Sequence, residues 1–96
     1  MRHRLKIKQC YLCRIVEGSK TFDVRLNDRD YQVGDTIGFL PLEDKNYNAY
    51  DIVSPIPEYR INYILSNFHG LREGYVCLAI TPILDDMTTC NTRYFF

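Results

Sequence analysis

The sequence predicts a small α+β fold: a mixed β-barrel of about six short strands with one main helix near the start. Three observations lead there. Short segments of period-two hydrophobicity recur along the chain, separated by turn residues. One segment, residues 9–17, carries apolar residues at helical spacing instead. The length of 96 residues suits one domain with one small core. Short strands at this spacing are expected to close, or nearly close, because closure removes exposed edges.

The first strand is predicted over residues 3–8. His3, Leu5 and Ile7 fall on one side and Arg4, Lys6 and Lys8 on the other, giving a basic face. His3 reads as a surface or capping residue, since one histidine makes no metal site. The helix follows, with Leu12, Ile15 and Val16 inward and Arg14 and Glu17 outward. Gly18 is a natural stop, because glycine tolerates the left-handed backbone of a helix end.

The second strand, residues 20–26, lies in the most polar stretch of the chain. Phe22, Val24 and Leu26 alternate, which predicts that they face the core. Thr21, Asp23 and Arg25 would then share the opposite face. Lys20 starts on the core side, but its long stem could curl towards Asp23. Asn27 to Asp30 is a turn, where short polar side chains bond their own backbone. Gly34-Asp35 reads as a plain turn before the next strand, Thr36 to Leu42, and Gly38 there suggests a bulge or a close approach.

Residues 43–50 are loop-like, with Tyr47 and Tyr50 available to stack on a base or to cover the barrel end. Ile52-Val53 makes a short strand broken by Pro55 and Pro57. Residues 58–65 alternate, with Tyr59, Ile61, Tyr63 and Leu65 on one face. Ser66 to Gly74 is a connection anchored by Phe68 and Leu71. Residues 75–81 are apolar on both faces and read as an interior strand that ends at Pro82. The segment 83–96 is a tail of the same single domain, closing on Arg93-Tyr94-Phe95-Phe96.

The formal net charge is zero, which argues against strong, unspecific nucleic-acid binding. The distribution is uneven. Residues 1–29 hold eight cations against three acids, a local charge of +5, so residues 30–96 carry −5. One half can attract an anion, unless folding mixes the halves. Cys10 and Cys13 form a C-x-x-C, but Cys77 and Cys90 are too far apart for a zinc ribbon. The four cysteines therefore read as ordinary thiols of a cytoplasmic protein, with no metal and no cofactor. No apolar run approaches a membrane span, and no signal peptide opens the chain.

Gly18-x-Lys20-x-x-Asp23-x-Arg25 resembles the G-x-K-x-x-E-x-R signature of ASCH domains, in the PUA-like superfamily. His3-x-Leu5-Lys6-Ile7, the run from Lys20 to Asp35, and Gly70-Leu71-x-x-Gly74-Tyr75-Val76-x-Leu78 are similar to a small branch found in bacteria and phages. The resemblance covers about residues 3–80. It implies a barrel with a cleft lined by the motif, and an RNA or nucleotide-like ligand. Asp23 replaces the usual glutamate and is one methylene shorter. The branch's Tyr-Thr-Gly-Arg-like element is replaced by Tyr50-Asp51-Ile52-Val53.

Two function classes follow. As a binding module, the chain would hold its ligand with Lys6, Lys20, Asp23, Arg25, Asp28, Arg29 and Tyr50, the cations on phosphate and the tyrosine on a base. As a hydrolase, which some ASCH-like relatives are, it would use Thr21 as nucleophile with Lys20 as base and Asp23 beside them. The Phe95-Phe96 tail could instead meet a protein partner, such as a host component bound by a phage protein.

Overall fold

A computed structural model describes residues 1–42 and 56–84. Five strands and one helix follow in chain order: β1 (Arg2–Lys8), α1 (Gln9–Glu17), β2 (Phe22–Leu26), β3 (Thr36–Leu42), β4 (Tyr59–Leu65) and β5 (Tyr75–Pro82). The expected strand at 52–53, Tyr47, Tyr50 and the tail beyond Leu84 lie outside the described residues. The described strands form one sheet in the order β1-β3-β4-β5-β2. Only β1 and β3 pair in parallel; the other neighbours are antiparallel.

The order leaves β1 and β2 at opposite edges, yet the edges meet. Arg25 Nη2 of β2 donates to the Lys6 carbonyl of β1 at 2.7 Å. A flat sheet would hold edge strands four strand spacings apart, roughly 19 Å, so the sheet is curled into a half-barrel. Ladder phase says which main-chain groups face the seam. Ile80 N donates to Thr21 O, so β2 turns residues 23 and 25 to β5 and residues 22, 24 and 26 to the open side. Thr36 N donates to Met1 O, so β1 turns its even residues outward in the same way. The Lys6 carbonyl is one of these free acceptors, and Arg25 fills it.

The core is Leu5, Ile7, Leu12, Ile15, Ile37, Phe39, Tyr59, Ile61, Val76, Leu78 and Ile80, with Tyr31 at its rim. α1 closes one side of it through Leu12 and Ile15. Gly18 ends the helix with φ +97°, its N–H shared between the carbonyls of Arg14 and Ile15. Burial pushes the Tyr59 phenol up to about 12, and its hydroxyl points at the Ile15 carbonyl, 3.5 Å away. Gly38 is a close approach: a Cβ there would lie 2.9 Å from Arg2 Nη2, on the guanidinium that pairs with Glu58.

Several expectations are corrected. Phe22, Val24 and Leu26 do not face the core; they are 45%, 45% and 49% exposed on the outer face, and Asp23 is buried at 5%. Across the ladder they meet Ala79, Cys77 and Tyr75, so they cover the outer side of β5. Tyr63 also turns out, because a register shift between Ile61 and Tyr63 reverses the alternation of β4. Phe68 is 55% exposed and is not part of the core, while Leu71 is half-buried. His3 is buried rather than superficial, because it shares the inward phase of Leu5 and Ile7. No described helix is long and apolar enough to cross a membrane.

Candidate functional site

The seam between β1 and β2 is a cleft of about 610 Å³. One bank is β1, with Arg4, Lys6 and Lys8. The other is β2 with its β5 neighbour, giving Val24, Leu26 and Tyr75. Asp23, Arg25 and Tyr31 make the floor, and Asp28 and Arg29 come from the turn after β2. Five cations (Arg4, Lys6, Lys8, Arg25, Arg29) stand against two acids (Asp23, Asp28), a net charge of +3. The uneven charge along the sequence thus survives folding, because every charged residue lining the cleft comes from the basic N-terminal third.

The cations play different parts. Arg25 is spent inside the fold: its Nε donates to Asp23 Oδ2, its Nη2 holds Lys6 O, and its guanidinium lies 6.0 Å from the Phe39 ring centre. Lys20 lies behind the floor, outside the cleft lining. Its ammonium donates to the Phe22 carbonyl at 2.6 Å, sits 3.6 Å from Asp23 Oδ1, and lies over the rings of Phe22 and Tyr11. Asp23 is therefore clasped from both sides. Lys20, Asp23 and Arg25 form a buttress that joins the two edges.

By contrast, the side chains of Arg4, Lys6 and Arg29 have no hydrogen-bond or ion-pair partner among the described residues. Among the described residues Lys8 meets the Tyr11 ring, at 5.9 Å, and no acid. Elsewhere Arg2 is paired with Glu58 and Arg14 with Glu17, while Arg60 donates to the Gly34 carbonyl. Asp28 does not fix Arg29. Burial raises the Tyr31 pKa, opposed by Arg25 and Arg29, so its phenol stays neutral at physiological pH.

Of the residues expected at the site, Lys6, Asp23, Arg25, Asp28 and Arg29 come together in the cleft. Lys20 backs it, and Tyr50 lies outside the described residues. Thr21 is exposed beside the start of β2 and is not among the lining residues. Its main chain bonds β5, and the Lys20 ammonium is directed to Phe22 and Asp23.

Sequence reasoning left out Arg4, Lys8, Tyr11, Tyr31 and Tyr75. The basic phase of β1 was the signal for the first two. It places Arg4 and Lys8 on the same face as Lys6.

A second polar cluster stands at the other end of β1. Asp35 accepts from the Gln32 N–H at 3.0 Å and from the Met1 ammonium at 3.0 Å, and it meets His3 Nε2 at 2.8 Å. His3 packs edge-on against Tyr31, with ring centres 4.8 Å apart. The histidine and the ammonium hold the Asp35 carboxyl down to about 2. Gly34-Asp35 is thus more than a turn: the Asp35 carboxylate ties the start of β1 to the turn before β3.

Cys10 and Cys77 are thiols, and no group of three or more potential metal ligands occurs among the described residues. Residues 2–80 match the family described as Domain of unknown function (DUF3850). The chain belongs to this family. The match takes in β1 to β4, β5 as far as Ile80, and both banks of the cleft, so the seam falls within the DUF3850 domain. No curated protein matches the chain.

Proposed function

We propose that this DUF3850 chain is an RNA- or nucleotide-binding module of the ASCH, PUA-like type, and that the β1–β2 cleft takes the ligand. One observation carries the reading: Arg4, Lys6, Lys8 and Arg29, which lack an acid partner among the described residues, converge on the cleft that Tyr11, Tyr31 and Tyr75 also line. Unpaired cations supply the donors that phosphate needs. Aromatic rings supply the surface a base needs. The half-barrel, the helix that follows β1 and the motif strand are the features an ASCH-type domain would have. A ligand of this kind gives the module a cytoplasmic place of action.

No specific observation favours the hydrolase. Thr21 lies outside the cleft lining, and the Lys20 ammonium is held by the Phe22 carbonyl and Asp23. Titration with a nucleoside monophosphate and with a short single-stranded RNA at low salt tests the reading. Saturable binding that weakens as salt rises, and weakens again in Lys6→Ala and Arg29→Ala, is expected. Absence of saturable binding to both ligands would end it.

A further inference from the structure

The β1 bank has a regularity that a lone phosphate would not need. Arg4, Lys6 and Lys8 occupy alternate positions of one strand, all outward, while Leu5 and Ile7 between them turn into the core. A strand sets alternate residues roughly 6.6 Å apart. No acid interrupts the row. The roughly 3.4 Å per phosphate of a B-form strand is measured along the helix axis; the backbone winds around that axis, so consecutive phosphates lie further apart than this, near the pitch of the row. One strand can then set about one phosphate on each cation, whereas a duplex would have to bring its second strand into the seam as well.

The ends of the row are defined. β5 runs parallel to β1, and β2 runs antiparallel to β5, so β2 runs opposite to β1 across the seam. The Arg25–Lys6 bond sets the level. Going on from Arg25 therefore leads towards Arg4, and Arg29 extends the row at that end. At the Lys8 end the strand passes directly into α1, and Tyr11 lies beneath the Lys8 ammonium. The facing bank carries no cation above the floor: Val24, Leu26 and Tyr75 offer apolar and aromatic surface.

We propose, on the preceding reading of the cleft, that it takes a nucleic-acid single strand lengthwise. Successive phosphates sit on Arg4, Lys6 and Lys8, and the bases turn to the β2 bank. The ligand class is then an oligonucleotide of at least three phosphates rather than a mononucleotide. Affinity accumulates along the row, because each neutralised phosphate releases counterions.

A series of oligouridylates with one to six phosphates, and a blunt RNA duplex, measured by fluorescence anisotropy competition across a salt range, tests this. Affinity is expected to rise with each phosphate up to the third or fourth and then level. The duplex should compete poorly. For the hexamer, three rungs correspond to a log–log salt slope of about −2, and each of Arg4→Ala, Lys6→Ala and Lys8→Ala should reduce its magnitude by about 0.7. Among the described residues these three side chains make no hydrogen bond or ion pair, and Lys8 adds only its contact with the Tyr11 ring, so thermal melts of the variants should lie close to the parent.

Uridine monophosphate binding as tightly as the hexamer overturns the row while leaving the cleft reading intact. So does a duplex that competes equally. Failure of every member of the series to bind removes both.

Discussion

Asp23 and Asp35 are both buried carboxylates, each held by more than one cationic or N–H donor, and they do opposite work. Asp35 gathers the Met1 ammonium, His3 and the Gln32 N–H at the start of the β1–β3 pairing. Nothing in that cluster opens on the cleft except through the Tyr31 ring. Asp23 is clasped by Arg25 and Lys20, and Arg25 reaches on to the far edge of the sheet. One carboxylate closes a ladder; the other closes a seam that also forms a cleft wall. The difference teaches that burial of a charged group does not by itself mark a site. What matters is whether neighbouring charges are left over, and around Asp23 the cleft gathers Arg4, Lys6, Lys8 and Arg29, which lack an acid partner among the described residues.

The largest effect is expected at Asp35. Asp35→Ala leaves His3 buried without its partner and strips an acceptor from the Gln32 N–H. Breaking a buried pair in this way costs about 3 kcal/mol, seen as a lower urea midpoint, while RNA binding by the folded fraction is unchanged. Lost binding in that variant would break the comparison.

The same carboxyl gives a pH signature. Its folded value of about 2 lies below the ordinary 3.8. The unfolded state therefore binds the proton first, and the stability contributed is complete above about pH 4 and lost as pH falls towards 2. Urea midpoints measured from pH 5 to pH 2 should fall more steeply in the parent than in Asp35→Asn. Equal slopes would show that the carboxylate is not held down.

A smaller loss of stability, joined to a loss of binding, is expected at Arg25. Arg25→Ala leaves Asp23 with Lys20 alone and frees the Lys6 carbonyl, at a cost of about 2 kcal/mol. It also lets the two banks part. Arg25→Lys keeps the charge but not the planar fork that serves Asp23 and Lys6 together, so it should recover stability in part and binding little. A lysine variant that binds like the parent would reduce Arg25 to a point charge.

Much of this was legible in the sequence. The helix from Gln9 to Glu17, its stop at Gly18 and the strands around Leu5, Ile37, Ile61 and Leu78 follow from period and breakers alone. The gathering of Lys6, Asp23, Arg25 and Arg29 was expected from the density of charge between Lys20 and Arg29 and from the motif resemblance, not from period. The faces of β2 were not legible, because alternation gives a period and not a phase. The apolar-inward rule supplies the phase wherever a polar set would be buried unpaired. In β2 it fails, because Asp23 and Arg25 satisfy each other and the curled sheet brings Lys6 O within reach. The outward turn of Tyr63 was hidden for a related reason: a one-residue bulge leaves no mark in composition.

The smallest expected effect tests that inversion most directly. If Phe22 and Val24 were core residues, Phe22→Thr and Val24→Thr would each remove buried apolar contacts and cost several times the effect of a surface change. On the outer face of an edge strand they trade a half-exposed apolar side chain for a β-branched one that suits a strand. Each should therefore shift the urea midpoint by no more than about 0.5 kcal/mol in stability. Asp23→Ala, one residue away from both, should cost clearly more, because Arg25 and Lys20 lose the acid they share. Measured side by side, the polar residue should matter more to the fold than its two apolar neighbours. The reverse order would return Phe22 and Val24 to the core and take Asp23 and Arg25 out of the cleft.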